Sequence, residues 1–136
     1  MSPDILNEFD DSLNRCNANP RFLDIFYHRF LESSPMVKEK FKNTDFRRQK
    51  RVLRSSFHLI MLAAEDEEAG SEKYLKDLAT SHNAEHLDIG AGLYDLWLDS
   101  LLSAVRECDP KFNDRVAQVW EEVMIIGISY LCSNYR

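Results

Sequence analysis

The other segments of the chain can be arranged around one stretch, residues 74–102, which reads YLKDLATSHNAEHLDIGAGLYDLWLDSLL. A short helix is predicted to end near His82, because Asn83 and then a Gly-Ala-Gly run follow it, and both favour the end of a helix. A long amphipathic helix then begins with Leu93 and Tyr94. The stretch therefore presents a histidine at a helix end, just before a corner and an aromatic-rich helix.

Length and composition indicate a single folded domain over residues 1–136. Hydrophobic residues make up 44% of the chain and charged residues 29%, and Gly and Pro number only four each, so disorder is not expected. The sequence has no run of about 18 apolar residues that could span a membrane. Its N-terminus lacks the basic and apolar regions of a secretory signal, which predicts a cytoplasmic protein.

The net charge argues against a nucleic-acid-binding protein, and the cysteine spacing argues against a protein stabilised by disulfides or zinc. A net charge of −6 makes nucleic acid an unfavourable partner. The three cysteines, Cys16, Cys108 and Cys132, are odd in number and share no metal-ligand spacing. We therefore expect reduced, packed thiols rather than a disulfide framework or a zinc site.

Hydrophobic residues recur at helical spacing along the chain, and no segment alternates with the period of a strand. Each of the four prolines directly follows a residue that caps helices well: Ser2-Pro3, Asn19-Pro20, Ser34-Pro35 and Asp109-Pro110. Proline is tolerated at the first helical position, because the N–H that it lacks would be unpaired there anyway. The sequence predicts an all-α chain with helices over 3–16, 20–33, 35–41, 45–66, 71–83, 92–107 and 110–134.

A second informative stretch is 26–53, FYHRFLESSPMVKEKFKNTDFRRQKRVL. It begins an ordered set of features that continues downstream: Phe26-Tyr27-x-Arg29, Pro35, Phe41, Gln49, Leu53, Leu78-Ala79-x-x-His82, Tyr94 and Leu101-Leu102. With this set the chain resembles the globin family, most closely the globin domains of bacterial flavohaemoglobins and the single-domain bacterial haemoglobins. The resemblance covers nearly the whole chain. It implies an all-α globin fold, a three-over-three helical sandwich around haem b.

On the proximal side of the haem, the resemblance makes His82 the iron ligand and Tyr94 the neighbouring tyrosine. Around the polar residues of the opposite, distal side, we expect Ile89 and Trp97, together with Phe41, Leu53 and Phe57, to keep water out of the pocket. His86 is the competing ligand, because a continuous helix would place it on the same face as His82. The predicted helix end after His82 favours a contact between His86 and a haem propionate instead. In general, a single histidine on an apolar helix face is more often a packed or capping residue than a metal ligand, and this segment taken alone favours the two interpretations about equally.

On the distal side, the resemblance makes Tyr27 and Gln49 the polar residues of the pocket. It makes Phe41 the aromatic residue that packs flat on the haem, and Leu53 the apolar wall beside the bound gas. Ferrous haem transfers electron density to dioxygen, so an O–H or N–H donor favours that ligand over carbon monoxide. The alternatives are that Tyr27 is an ordinary half-buried tyrosine and that Gln49, which lies in a polar run, is a surface residue.

Residues 38–54 are rich in Lys and Arg. The simplest interpretation is a solvated helix face. The functional alternatives are that some of these side chains pair with haem propionates or that they dock an acidic electron donor.

The predicted function is that of a haem globin that reversibly binds dioxygen and nitric oxide, with carbon monoxide as a further ligand, in oxygen transport or nitric oxide detoxification. The enzymatic variant is nitric oxide dioxygenation with a separate reductase, because the chain is expected to lack a flavin or nicotinamide module. Residues 123–136 contain no Asp or Glu to support the proximal histidine, which weakens that variant. The alternative is a gas-sensing or protein-interaction module of the same fold without haem. The oligomeric state, monomer or homodimer, stays open.

Overall fold

The computed structural model describes residues 1–66, 69–76 and 91–133. Within these ranges all regular structure is helical, which confirms the all-α prediction. The α-helices are α1 (Pro3–Asn17), α2 (Phe22–Ser33), α3 (Pro35–Lys40), α4 (Phe46–Glu65), α5 (Tyr94–Cys108) and α6 (Asp114–Ser133). A π-helical segment covers Ser71–Leu75, and a 3-10 turn, Ala91–Leu93, precedes α5. None of the described helices is long and apolar enough to cross a membrane.

Short polar side chains begin three of these helices, α1, α3 and α4. Ser2 and Ser34 each accept a hydrogen bond from the backbone N–H two residues further on, at 3.2 and 3.1 Å. Asp45 accepts one from the equivalent N–H of α4 at 3.1 Å. These bonds satisfy backbone donors that have no partner inside the first turn of a helix. The helix starts predicted at residues 3, 35 and 45 are therefore correct to within one residue.

The helix starts predicted at Pro20 and Pro110 are wrong, because α2 begins at Phe22 and α6 begins at Asp114. In both places the residue before the proline caps a turn rather than a helix, by accepting from the backbone N–H two residues on. The first turn of α6 is capped instead by Asn113, which accepts from a backbone N–H at 2.8 Å.

Trp120 of α6 lies at the centre of the core and is fully buried. Its ring centroid is 4.7 Å from that of Phe9 on α1, 6.2 Å from that of Phe22 on α2 and 5.6 Å from that of Phe57 on α4. All three pairs meet edge to face, the arrangement that aromatic quadrupoles favour. One tryptophan therefore holds four helices against one another.

Helices α4 and α6 cross closely at Gly127. A Cβ atom at this position would lie 2.6 Å from Cδ1 of Ile60, which is far inside van der Waals contact. Any larger residue would have to push Ile60 aside or separate the two helices. The glycine therefore allows the close approach of α6 to the buried face of α4.

A buried carboxylate ties α1 to the turn before α6. Asp109 accepts hydrogen bonds from Nε and Nη2 of Arg15 at 2.6 and 2.9 Å and from the hydroxyl of Ser12 at 2.6 Å. The backbone N–H of Lys111 donates a fourth bond at 2.8 Å, and Ser12 in turn accepts from the indole N–H of Trp120 at 2.8 Å. Burial acts to raise the pKa of Asp109, but the hydrogen bonds outweigh it, so the pKa is lowered.

The two cysteines whose side chains are described, Cys16 and Cys108, are both buried and free. Burial raises the pKa of the Cys16 thiol to about 12, so this thiol stays protonated and unreactive at neutral pH. Among the residues that the structure describes, no group of His, Cys, Asp and Glu side chains could hold a metal ion.

Candidate functional site

Two polar side chains, Tyr27 of α2 and Gln49 of α4, meet in the interior between their helices. Tyr27 is only 5% exposed and Gln49 only 6%, and a side-chain hydrogen bond joins them. Gln49 lies on the buried face of α4, one turn before the buried Leu53. Gln49 is therefore not a surface residue, which was the alternative that its polar neighbours in the sequence left open. A buried amide needs such a partner, because an unpaired one would cost about 1–3 kcal/mol.

The protonation of Tyr27 follows from its surroundings. Burial raises the pKa of its hydroxyl above the ordinary value, while the hydrogen bond from Gln49 acts in the opposite sense. The hydroxyl is therefore protonated at neutral pH. Because a hydroxyl has one donor and two acceptor positions, Tyr27 can accept a hydrogen bond from the amide of Gln49 and donate one to another group.

Aromatic rings surround the pair. The ring centroid of Tyr27 lies 4.8 Å from that of Phe26, 5.3 Å from that of Phe46 and 6.4 Å from that of Phe41. Phe41 and Phe46 also stack on each other, with their centroids 6.2 Å apart. The hydroxyl and amide groups therefore lie in a largely apolar environment, where hydrogen bonds are electrostatically stronger than in water.

The same cluster extends to the first turn of α5. Phe26 meets Trp97 with ring centroids 5.8 Å apart, and Trp97 meets the buried Tyr94 at 6.3 Å. A continuous series of side-chain contacts thus runs from Gln49 through Tyr27 to Tyr94, across three helices. Residues from the two halves of the chain are brought into one cluster.

A small cleft of about 150 Å³ lies beside Gln49, at the corner between α3 and α4. Its other lining residues are Asn43, Thr44, Asp45 and Arg48. Gln49, the hydrogen-bond partner of Tyr27, is the member of the polar pair that lines this cleft. It is large enough for several water molecules or a diatomic gas.

The sequence-predicted site residues divide into two groups. Those within the described residues are all buried or half-buried: Tyr27, Phe41, Gln49, Leu53, Tyr94 and Trp97. The others, His82, His86 and Ile89, lie outside the described residues. The roles assigned to both groups stay predictions.

Phe46, like Phe26, is a member of the cluster to which sequence reasoning assigned no role in the site. Its half-buried ring packs against both Tyr27 and Phe41. The sequence does contain a signal for it, because Phe46 lies three residues before Gln49 and so shares its helix face.

A protein from Pseudomonas aeruginosa, whose crystal structure is described as structurally highly homologous to a human haemoglobin, is similar to this chain. The two share 37% sequence identity over 96% of this chain and 98% of that one, with a TM-score of 0.86. Residues 24–127 match the family model described as Globin. The chain belongs to the globin family. The predicted all-α globin fold is thereby confirmed. No curated protein matches the chain.

Globins usually bind haem, and their ligands are small gases such as oxygen. In their chemistry, the aromatic rings and the buried polar pair among the described residues would suit a flat, mostly apolar cofactor that carries a polar ligand. Other buried polar groups have structural partners: Ser12 bonds Asp109, and Ser56 donates to the carbonyl of Leu53 at 2.7 Å. Gln49 instead bonds a tyrosine inside an aromatic cluster.

Proposed function

We propose that residues 1–136 form one haem-binding domain, which holds haem b in a pocket lined by α2, α4 and α5 and binds dioxygen reversibly. The observation that carries this proposal is the buried, hydrogen-bonded pair of Tyr27 and Gln49 inside the aromatic cluster. When bound, the haem would supply a ferrous iron atom that takes up dioxygen, nitric oxide or carbon monoxide. His82 is the proposed iron ligand, from its position in the globin pattern.

Tyr27 is the proposed donor to the gas ligand. Its hydroxyl is protonated and Gln49 is its hydrogen-bond partner. In this proposal the amide N–H of Gln49 donates to the phenolic oxygen, and the O–H of Tyr27 donates to the gas. Dioxygen becomes partly negative when bound, whereas carbon monoxide stays nearly neutral. A pre-placed donor in a dry pocket therefore stabilises dioxygen selectively.

The remaining proposed pocket residues exclude water and position the cofactor. Phe41, Leu53 and Trp97 supply apolar surface near the polar pair. We propose Ile89 as a further apolar residue that keeps the pocket dry and, on the proximal side, Tyr94 as a neighbour of the iron ligand. His86 is the proposed partner of a haem propionate.

The test combines absorption spectroscopy with two matched tyrosine variants. Purified protein should give haem spectra in the ferric, ferrous and carbon monoxide forms. In Tyr27→Phe, dioxygen should dissociate roughly 10 to 150 times faster, because a hydrogen bond to a charged acceptor contributes about 1.5–3 kcal/mol. Carbon monoxide release should change far less. Tyr74→Phe makes the same chemical change in a half-buried tyrosine outside the cluster and should leave both rates unaltered.

Each outcome bears on a different part of the proposal. A protein that takes up no haem would refute it and favour a sensing or interaction module of the same fold. Haem uptake with unchanged dioxygen release in Tyr27→Phe would remove Tyr27 from the pocket. Equal acceleration in both tyrosine variants would indicate a general loosening of the protein.

Nitric oxide detoxification is the second candidate function, and the cleft beside Gln49 favours it because a second small reactant could enter there. In this reaction dioxygen and nitric oxide would combine to form nitrate, and the haem would supply the one electron that the nitrate ion carries. Each further turnover therefore needs one electron from an external donor, the separate reductase expected from the sequence.

A further inference from the structure

Three arginines, Arg47, Arg51 and Arg54, lie on the exposed face of α4 and are here called the arginine stripe. They are spaced four and three residues apart, which places them on one side of the helix over about 10 Å. The opposite side of the same helix buries Gln49 and Leu53. One helix thus carries pocket residues on its inner face and the stripe on its outer face.

The arginines of the stripe differ from neighbouring lysines, because those lysines already pair with carboxylates. Lys50 lies against Asp24, and Lys42 bonds Glu39 at 2.6 Å. Within the part of the chain that the structure describes, no carboxylate pairs with the guanidinium groups of the stripe. Their full charge is therefore presented to solvent.

The charge around the stripe suggests what kind of partner it fits. Residues 38–54 hold eight of the 17 Lys and Arg residues but only two of the 23 Asp and Glu residues, although the chain has a net charge of −6. A long polyanion such as nucleic acid, or an anionic membrane, would extend beyond this segment onto the acidic remainder of the protein. A folded protein with a local acidic patch would meet the positive segment alone.

We propose that the arginine stripe is the docking surface for an acidic electron-carrier protein. This inference rests on the second candidate function, nitric oxide detoxification, in which an external donor returns one electron to the haem; the carrier loses that electron, and no bond forms or breaks. A carrier on the stripe would be separated from Gln49 and Leu53 by the thickness of α4 alone. Guanidinium groups suit this task, because they are weakly hydrated and bind carboxylates with two parallel hydrogen bonds.

The test measures binding directly, so it does not depend on turnover. An oxidised, acidic flavodoxin is titrated by calorimetry into the haem-loaded protein at low and at physiological ionic strength. We expect binding at low salt that weakens as the screening length falls from about 30 to about 8 Å. The variant with Arg47→Gln, Arg51→Gln and Arg54→Gln should bind about tenfold more weakly or worse.

A matched control removes the same number of charges elsewhere. Arg21→Gln, Arg106→Gln and Lys111→Gln together change three exposed side chains outside α4 and should leave the affinity within about twofold. An equal loss in both triple variants would show that only net charge matters and would overturn the proposal. Unchanged binding in the stripe variant would also overturn it.

Two further measurements separate competing explanations. Stripe-dependent binding to phosphatidylserine vesicles that is tighter than binding to flavodoxin would make the stripe a membrane surface and refute the protein-docking proposal. The haem content of each preparation, read from its absorption spectrum, tests the proposed function independently. A protein that loads haem but ignores flavodoxin refutes only the docking, whereas one that docks but takes up no haem refutes the proposed function.

Discussion

Replacing Asp109 with alanine should destabilise the protein by about 3 kcal/mol. The carboxylate is completely buried and accepts four hydrogen bonds, whereas its partner Arg15 keeps 25% of its side chain exposed. Removing one partner of a buried ion pair costs about 3–5 kcal/mol, because the other charge is left uncompensated. The lower end applies here, since the freed guanidinium group can still reach water.

The effect should be easy to measure by thermal unfolding. With an unfolding entropy of about 2.1 cal/mol/K per residue, a loss of about 3 kcal/mol lowers the Tm of a chain of this size by roughly 10 °C. Far-UV circular dichroism can follow the transition, with every variant in the same state of haem loading. The matched control is Glu8→Ala, which removes a carboxylate bonded to Arg115 at 2.8 Å in a pair that is 46% exposed on both sides. Its Tm should stay nearly unchanged.

Asp109 should also make the protein sensitive to acid. Its pKa in the folded state lies below the ordinary value of 3.8, and the unfolded chain has the ordinary value. Its contribution to stability is therefore complete above the unfolded pKa and is lost as the pH falls through the folded pKa. Below about pH 4 the native protein should lose stability more steeply than Asp109→Asn, whose amide does not titrate. Equal slopes, or equal Tm losses in the Asp109 and Glu8 alanine variants, would refute this reasoning.

The remaining predictions concern the haem pocket. His82→Gly should abolish the iron–histidine band in the resonance Raman spectrum of the ferrous protein, while His86→Ala should keep it; loss in the His86 variant alone would place the ligand four residues further on. A single exposure of the dioxygen-loaded protein to nitric oxide should yield stoichiometric nitrate. Absence of nitrate in that first turnover would leave oxygen binding or sensing as the function.

The helices could be predicted from the sequence because their determinants are local. Apolar spacing and a capping serine are read within one or two turns, so α1 and α3 begin where expected. The start of α6 could not be read in this way. Asp109 looks like a cap beside its proline, but its carboxylate is held by Arg15, which lies 94 residues away along the chain.

In the candidate site, too, local sequence determines the helix face of a residue but not its contacts with another helix. Neither Arg48 nor Lys50 indicates a buried position between them, and only the period that continues to Leu53 and Phe57 places Gln49 on the buried face of α4. The link between Gln49 and Tyr27 is a tertiary contact between two helices, and nothing in either local sequence specifies it. The resemblance to globins predicted that Tyr27 and Gln49 share one pocket, whereas apolar periodicity and helix capping predicted only the helices.

The polar pair is difficult to explain by stability. A buried hydrogen bond between neutral groups contributes only about 0.5–1.5 kcal/mol, and replacing both partners by apolar groups of similar shape can be neutral or stabilising. Tyr27 and Gln49 lie among aromatic rings that would accommodate such replacements. Ser12 and Asp109 are different, because their network bonds Arg15 and Trp120 and links α1 to the core. Among the described residues, the pair between α2 and α4 makes no comparable structural connection, which supports the proposed role of Tyr27 as a hydrogen-bond donor inside an apolar pocket.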